Sequence, residues 1–280
     1  MAAPDVDRRG FSVKPFPLAG RRSLAATQFE ESQTPRQMPR AKARKIGYAA
    51  GSMSIARTLS SDPLVQSFSK LSSCNVSDAL DRLHVNGAPH RILPLWPGCP
   101  KIVGRAATLK LVDHGSQSPV QGTMQAIAVA KPGEVMIVDH HGRLDVNSWG
   151  GIATFAALKR GMVGVIIDGV TRDIDEIRAM EFPTYGKGVI QQSIRNRCAF
   201  AGHGISVQLG HAVVRPGDLV VADENGVVVV PQERIEEVLT IAQECANAEE
   251  RLRDWISQGV DPLEAHQRVK YEQLTGRYAG

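Results

Sequence analysis

The chain has 280 residues, 42% of them apolar and 22% charged, enough for one large domain or two small ones whose core needs no metal or disulfide to hold it. No uncharged apolar run approaches the roughly 20 residues that a bilayer-spanning helix requires, and no low-complexity tract dominates, which excludes a membrane-spanning or wholly disordered chain. The net charge of +4 is unevenly spread, with eleven Lys/Arg against four Asp/Glu in residues 1–57 (+7) and twenty-two against twenty-five in the rest (−3); without interleaved aromatics or a motif, that basic stretch argues against a nucleic-acid partner.

Up to about residue 60 no apolar period is sustained, and Pro4, Pro15, Pro17, Pro35 and Pro39 interrupt any helix. The expectation is a disordered basic leader over 1–60 and a folded domain over 61–280. Arg8-Arg9-Gly10-Phe11 resembles part of a twin-arginine signal, but charged residues and prolines stand where its apolar region belongs. The four cysteines, Cys74, Cys99, Cys198 and Cys245, are far apart and form no CxxC pair. Reduced thiols and a cytoplasmic location are therefore expected.

From Asp62 onward, Leu64, Val65, Phe68 and Leu71 recur at helical spacing, and Ser73–Leu83 predicts a second helix carrying Val76, Leu80 and Leu83. The run IVGRAATLKLV ending at Val112 reads as a strand, Met124–Ala130 as a short helix, and GEVMIVD at 133–139 as a strand behind a Pro-Gly turn. Gly150-Gly151 opens a helix through Arg160, which Gly161 ends. Val163–Ile167 is then a strand closing on Asp168-Gly169. Further on, Arg215-Pro-Gly-Asp218 leads into LVVAD, Asn225-Gly226 predicts a tight reversal, and VVVVP follows, which together read as a hairpin. Gln232–Gln258 carries Ile235, Val238, Leu239, Ala242, Cys245, Ala246 and Leu252 on one face of an amphipathic helix. The alternation of helices and strands makes the class α/β.

The stretch from Trp149-Gly150-Gly151 to Arg172-Asp173 carries the chemistry. Two glycines before a helix leave its first N–H groups uncovered, an anion site for a carboxylate or phosphate. Arg172 offers a planar fork for a carboxylate or keto oxygen, and Asp173 a hard oxygen ligand for Mg²⁺ or Mn²⁺. The plainer alternatives are a simple Gly-Gly turn and an Asp that only caps the next helix.

The run WGGIATFAALKRGMVGVIIDGVTRDIDEI resembles the signature segment of the RraA-like family, which includes the ribonuclease-activity regulator RraA and metal-dependent 4-hydroxy-4-methyl-2-oxoglutarate / 4-carboxy-4-hydroxy-2-oxoadipate aldolases. The likeness continues through Asn75–Leu83, Val103–Thr108, Pro132–Glu134, Arg215–Asp218 and Ala222–Val227, over roughly residues 65 to 260. It implies a layered β/β/α swivelling-domain fold, assembled as a homotrimer or hexamer with sites between subunits. Carried over, Arg172 would hold the pyruvyl part of a small 2-oxo acid and Asp173 would bind Mg²⁺ or Mn²⁺. The amides at Gly150, Gly151, Ile152 and Ala153 would receive the substrate carboxylate. Glu249, on the C-terminal helix, falls near an acidic position that reaches the neighbouring subunit's site, although a salt-bridged helix face explains it equally.

The implied activity is a class II pyruvate aldolase, a metal-dependent lyase cleaving a 4-hydroxy-2-oxo acid to pyruvate, with oxaloacetate decarboxylation as a related reaction. Such a reaction needs no Schiff-base lysine, and neither Lys159 nor Lys187 sits in an evidently apolar pocket. One departure stands out: aldolase members carry Asp or Glu twenty-one positions before the arginine, and here that position is Gly151. Asp145, His140 or His141, in the preceding loop, could replace it or could belong to a solvated turn. The rival reading is a non-catalytic RraA-like regulator that binds an RNA-processing enzyme. No glycine-rich fingerprint after an early strand supports a methyltransferase. Asn75 and Asp78 are expected to be caps, and Asp223-Glu224 a turn.

Overall fold

A computed structural model describes residues 61–269; the leader expected over 1–60 lies outside them. The chain opens with α1 (Pro63–Phe68), whose Asp62 cap accepts the Leu64 N–H at 2.9 Å, and α2 (Ser73–Arg82), where Ser72 and Asn75 form a reciprocal capping box. Then come β1 (Leu93–Pro94), β2 (Ile102–Val112), α3 (Pro119–Val129), β3 (Glu134–Trp149), α4 (Gly151–Lys159), β4 (Gly164–Thr171), α5 (Ile174–Ala179) and β5 (Thr184–Gly186). The remainder is β6 (Ala199–His203), β7 (Val207–Leu209), β8 (Ala212–Val214), β9 (Leu219–Asp223), β10 (Gly226–Val230), a 3-10 turn at Gln232–Arg234, α6 (Ile235–Ser257) and α7 (Pro262–Val269).

One sheet runs β1-β5-β4-β3-β2-β9-β10. β2, β3, β4 and β5 are mutually parallel, as right-handed strand–helix–strand crossovers require, while β1, β9 and β10 pair antiparallel and β6 joins the distal half of β2. The alternating pattern of β2 explains why the sheet curls. Ile102 and Ala106 point into an inner core with Val135, Ile137, Ile166, Val220 and Val229, whereas Leu109 and Leu111 point outward beneath α3 and α4. A second outer layer packs α1, α2 and α6 on Leu219, Val221, Val228 and Val230. Every residue of β4 and β10 is buried, because helices cover the outside and the curled sheet fills the inside. Ile166 is wholly enclosed there, so Ile166→Ala is expected to cost about 2–5 kcal/mol in unfolding free energy, read from urea denaturation.

Two buried carboxylates close one end of the curl. Asp139 on β3 and Asp168 on β4 stand side by side in register. Asp139 Oδ2 accepts the Gln208 N–H at 3.0 Å, and Asp168 Oδ2 accepts the Gly210 N–H at 3.1 Å, so the β7–β8 hairpin is lashed across the opening. Lys110 at 3.6 Å and Lys187 at 2.5 Å supply the cations that make burial of the two charges tolerable.

Three expectations are corrected. β3, expected over 133–139 with a loop after it, runs on to Trp149, so His140, His141 and Asp145 lie in the strand, whose pairing with β4 continues through register shifts. The strand predicted to close on Asp168-Gly169 runs through both residues to Thr171, because Asp168 finds its partners in the hairpin and Lys187 and has no need of a turn. The β9–β10 reversal is made by Glu224-Asn225: Gly226 already pairs with Asp223 as the first residue of β10. Asp223 does more than turn the chain, since its carboxylate accepts both the Ser73 N–H and the Ser73 hydroxyl at 2.7 Å, fastening α2 to the hairpin.

Candidate active site

The ends of β3 and β4 lie side by side, with Trp149 opposite Thr171. Each strand passes directly into a helix, β3 through Gly150 into α4 and β4 through Arg172-Asp173 into α5. The sequence-predicted residues therefore meet at one corner. Gly150 is fully extended (φ −168°, ψ −172°) and, lacking a side chain, makes no cap of its own, so the positive end of that helix faces the corner through its backbone.

Asp173 is not the helix cap that the plainer reading allowed. It sits in the left-handed region (φ 56°, ψ 38°) and its side chain makes no capping bond to α5. Instead Oδ2 accepts the Gly151 N–H at 3.0 Å and lies 3.3 Å from Arg172 Nε. The left-handed conformation is uncommon and mildly strained, though Asp adopts it more readily than most residues. Asp173 and Arg172 are about one-third exposed, 34% and 35% for their side chains. Oδ1 of Asp173 has no protein donor among the described residues.

Of the amides expected to receive a substrate carboxylate, that of Gly151 is thus engaged by Asp173. Those of Ile152 and Ala153 are the first-turn groups that remain, and the Thr154 N–H is already bonded to the Gly150 carbonyl at 3.0 Å. A Cβ at Gly150 would lie 2.7 Å from Asp173 Oδ2, which is tied to the Gly151 amide, and one at Gly151 would lie 2.1 Å from Oε2 of the exposed Glu176, which would have to move aside.

That last distance bears on the acid absent at position 151. The carboxylate of Glu176, on the first turn of α5, occupies the space that a side chain at position 151 would fill. Sequence reasoning overlooked it, although the signal was present: Glu176 follows Asp173 by three residues, the spacing that brings two side chains to one helix face.

The residues weighed earlier as substitutes are elsewhere. Asp145 forms a two-pronged ion pair with Arg143, at 2.9 and 2.8 Å, which pulls its carboxyl down to about 2. His141 lies 3.7 Å from buried Asp139. His140 is enclosed within the fold, its Nδ1 2.6 Å from Ser148 Oγ and its Nε2 without a partner. Burial, helped by nearby Arg143, holds the His140 imidazolium down to about 4, against an ordinary 6.5. A depressed histidine stabilises the fold above pH 6.5 and that stability drains away as pH falls toward 4, because only the unfolded chain takes up the proton. About 3 kcal/mol is expected to be lost across that interval, and His140→Leu should flatten the slope in urea titrations at pH 7 and pH 4.5.

The lysines remain outside the corner. Lys159 is exposed and stacks over Phe155 at 5.4 Å, and Lys187 is paired with Asp168. Glu249 accepts from Asn75 Nδ2 at 3.3 Å and pairs with Arg253 at 3.6 Å within its own chain. No group of three or more His, Cys, Asp and Glu among the described residues forms a metal cage, and no helix among them is long and apolar enough to cross a membrane.

A family model described as RraA-like, Aldolase/RraA, matches residues 73–229. The protein DlpA of Legionella pneumophila is 29% identical over 219 residues, covering 77% of this chain and 35% of that protein, so the chain spans about a third of the length of that relative. A Halalkalibacterium halodurans protein named "Putative 4-hydroxy-4-methyl-2-oxoglutarate aldolase" is 27% identical over 202 residues, 72% of this chain and 92% of the other. Among solved structures, Streptomyces coelicolor RraAS2, described as an unusual member of the RNase ES inhibitor RraA protein family, superimposes with a TM-score of 0.62 and 25% identity over 68% of this chain and 96% of its own.

Proposed function

This chain belongs to the RraA-like family, and we propose that within it the protein is a divalent-metal-dependent carbon–carbon lyase that releases pyruvate from a 4-hydroxy-2-oxo acid. One geometry carries the proposal: Arg172, Asp173 and Glu176 converge over the N-terminus of α4, where Asp173 takes the Gly151 amide and the Ile152 and Ala153 amides remain. The name borne by the H. halodurans relative supports the reaction class.

The donor set fits Mg²⁺ or Mn²⁺ better than zinc. Mg²⁺ is commonly held by one or two carboxylates with water completing its shell, whereas zinc seeks a closed set of nitrogen and sulfur ligands. Asp173, with Oδ1 free, is the residue that would hold the ion. When bound, the metal would supply Lewis-acid stabilisation of charge on the 2-oxo oxygen.

The chain's own groups divide the remaining work. The Ile152 and Ala153 amides receive the C1 carboxylate at the positive helix end. Arg172 faces the 2-oxo oxygen and offsets the negative charge that gathers there as the C3–C4 bond breaks. Glu176 takes the proton from the 4-hydroxyl as C4 becomes a carbonyl, and a proton returned to C3 completes pyruvate. Oxaloacetate decarboxylation calls on the same charge stabilisation without the hydroxyl proton transfer.

Ile152 is 70% exposed and Phe155 43% exposed, on the α4 face beside the site. Apolar side chains so placed support a homotrimer or hexamer in which a neighbouring copy covers the corner and its Glu249 approaches it.

The test is pyruvate release coupled to lactate dehydrogenase over a panel of 4-hydroxy-2-oxo acids and oxaloacetate. Turnover is expected to vanish with EDTA and return with Mg²⁺ or Mn²⁺; turnover indifferent to chelation rejects the metal. The second reading, a non-catalytic regulator of an RNA-processing enzyme, drew its strength from Gly151. With Glu176 in the space beside that glycine the argument weakens, and binding to a ribonuclease without turnover on any substrate would restore it.

A further inference from the structure

The joint between β3 and α4 is two consecutive glycines, the least restrained link the backbone can form. It nevertheless has to hold the Ile152 and Ala153 amides at a fixed distance from Arg172. The carbonyl of Trp149, immediately before the joint, accepts from Asn147 Nδ2 at 2.9 Å, from Thr171 Oγ1 at 3.1 Å and from the Arg172 N–H at 3.1 Å. A carbonyl oxygen has two lone pairs, so three donors over-determine its direction. Because the peptide is planar, fixing that oxygen also fixes the N–H of Gly150 and the start of the glycine link.

Both side-chain donors are buried, Thr171 wholly and Asn147 at 5% exposure. Thr171 also has the Arg172 carbonyl at 3.3 Å, so its hydroxyl spans the two strand ends. Asn147 keeps its place at a cost: with Nδ2 committed to Trp149, its Oδ1 is buried and has no partner among the described residues.

We propose that Thr171 and Asn147 are positioning residues, which act through the Trp149 carbonyl to set the spacing between the α4 amides and the Arg172 guanidinium. The inference rests on the lyase reading of the same corner. Neither side chain touches substrate; each removes freedom from the glycine joint, so that the carboxylate and the 2-oxo oxygen are gripped together. Misplacement of a gripping group by about an ångström is enough to cost up to about 100-fold.

Calorimetric titration of the full chain with oxalate in the presence of Mn²⁺ separates the two claims, oxalate serving as a planar mimic of the pyruvate enolate. Thr171→Val is expected to weaken oxalate about tenfold in a variant that still melts cooperatively, and Thr171→Ser to restore wild-type affinity, a rescue that a purely structural role would not require. Arg172→Ala should abolish binding. If it does so while Thr171→Val binds like wild type, the positioning claim fails and the lyase reading stands. If Arg172→Ala still binds oxalate, the reading of the corner fails and the inference goes with it. Asn147→Ala removes the opposite donor; wild-type affinity in that folded variant likewise overturns the claim, including where valine disturbs the β4 core.

Discussion

Replacing Asp173 with asparagine is expected to reduce metal-supported pyruvate release by about 1,000-fold while leaving the melting temperature unchanged. The two outcomes separate because the residue has two roles. As a backbone element it must tolerate φ 56°, which asparagine does as readily as aspartate. As a charge it is the carboxylate that meets both the Gly151 amide and Arg172, and asparagine removes that charge and with it the hard anionic ligand. The magnitude follows from the two to three orders commonly lost with one preorganised charge-stabilising contact, here compounded by weakened metal binding. Asp173→Ala should be equally inactive and less stable, by about 1 kcal/mol, because a Cβ without a polar partner is strained in the left-handed region. Steady-state kinetics at saturating Mn²⁺, alongside thermal melts, check both. Residual turnover of a tenth or more in Asp173→Asn would remove this carboxylate from the mechanism.

The second large effect is expected at Glu176. Glu176→Gln should lower kcat on a 4-hydroxy-2-oxo acid by about 100-fold, the lower end of what general base catalysis contributes, with little change in oxalate affinity. Oxaloacetate decarboxylation, which has no hydroxyl proton to remove, should fall far less. The close approach at position 151 supplies a sharper variant. Gly151→Asp alone forces a second carboxylate into space that Glu176 Oε2 already fills, and like charges there should depress activity. Pairing Gly151→Asp with Glu176→Ala moves the acid from α5 to α4 and should recover part of the activity that Glu176→Ala loses. No recovery, with the double variant folded, would show that the carboxylate is not interchangeable between the two positions.

How far the sequence could be read depended on the range of the interactions involved. β2, β9, β10, α2, α4 and α6 were legible because their patterns are local: alternation in IVGRAATLKLV, Val76, Leu80 and Leu83 at helical spacing, a glycine pair before a helix, and apolar residues on one face from Ile235 onward. The continuation of β4 through Asp168-Gly169 was not, since an Asp-Gly pair has turn character locally and its true partners, Lys187 and the Gly210 amide, arrive from later in the chain. β3 was read to 139 and extends to Trp149 for the same reason: its second half pairs with β4 through a series of register shifts that no periodicity records. At the corner itself, Arg172, Asp173 and the glycines were legible from their residue types and spacing, and the family resemblance assigned their roles. Glu176 was not, because its relation to Gly151 exists only once α4 and α5 are laid side by side. Likewise, the lone-pair count at the Trp149 carbonyl belongs to the folded strands and cannot be counted along the chain.

The overlap of the Glu176 carboxylate with the vacant side-chain position at Gly151 bears on how relatives are sorted. A pattern that demands acid at one column would set this chain aside as inert, though the same charge is delivered from a helix twenty-five residues later. Classification of such proteins is better keyed to the occupied volume above the helix end than to the letter written there.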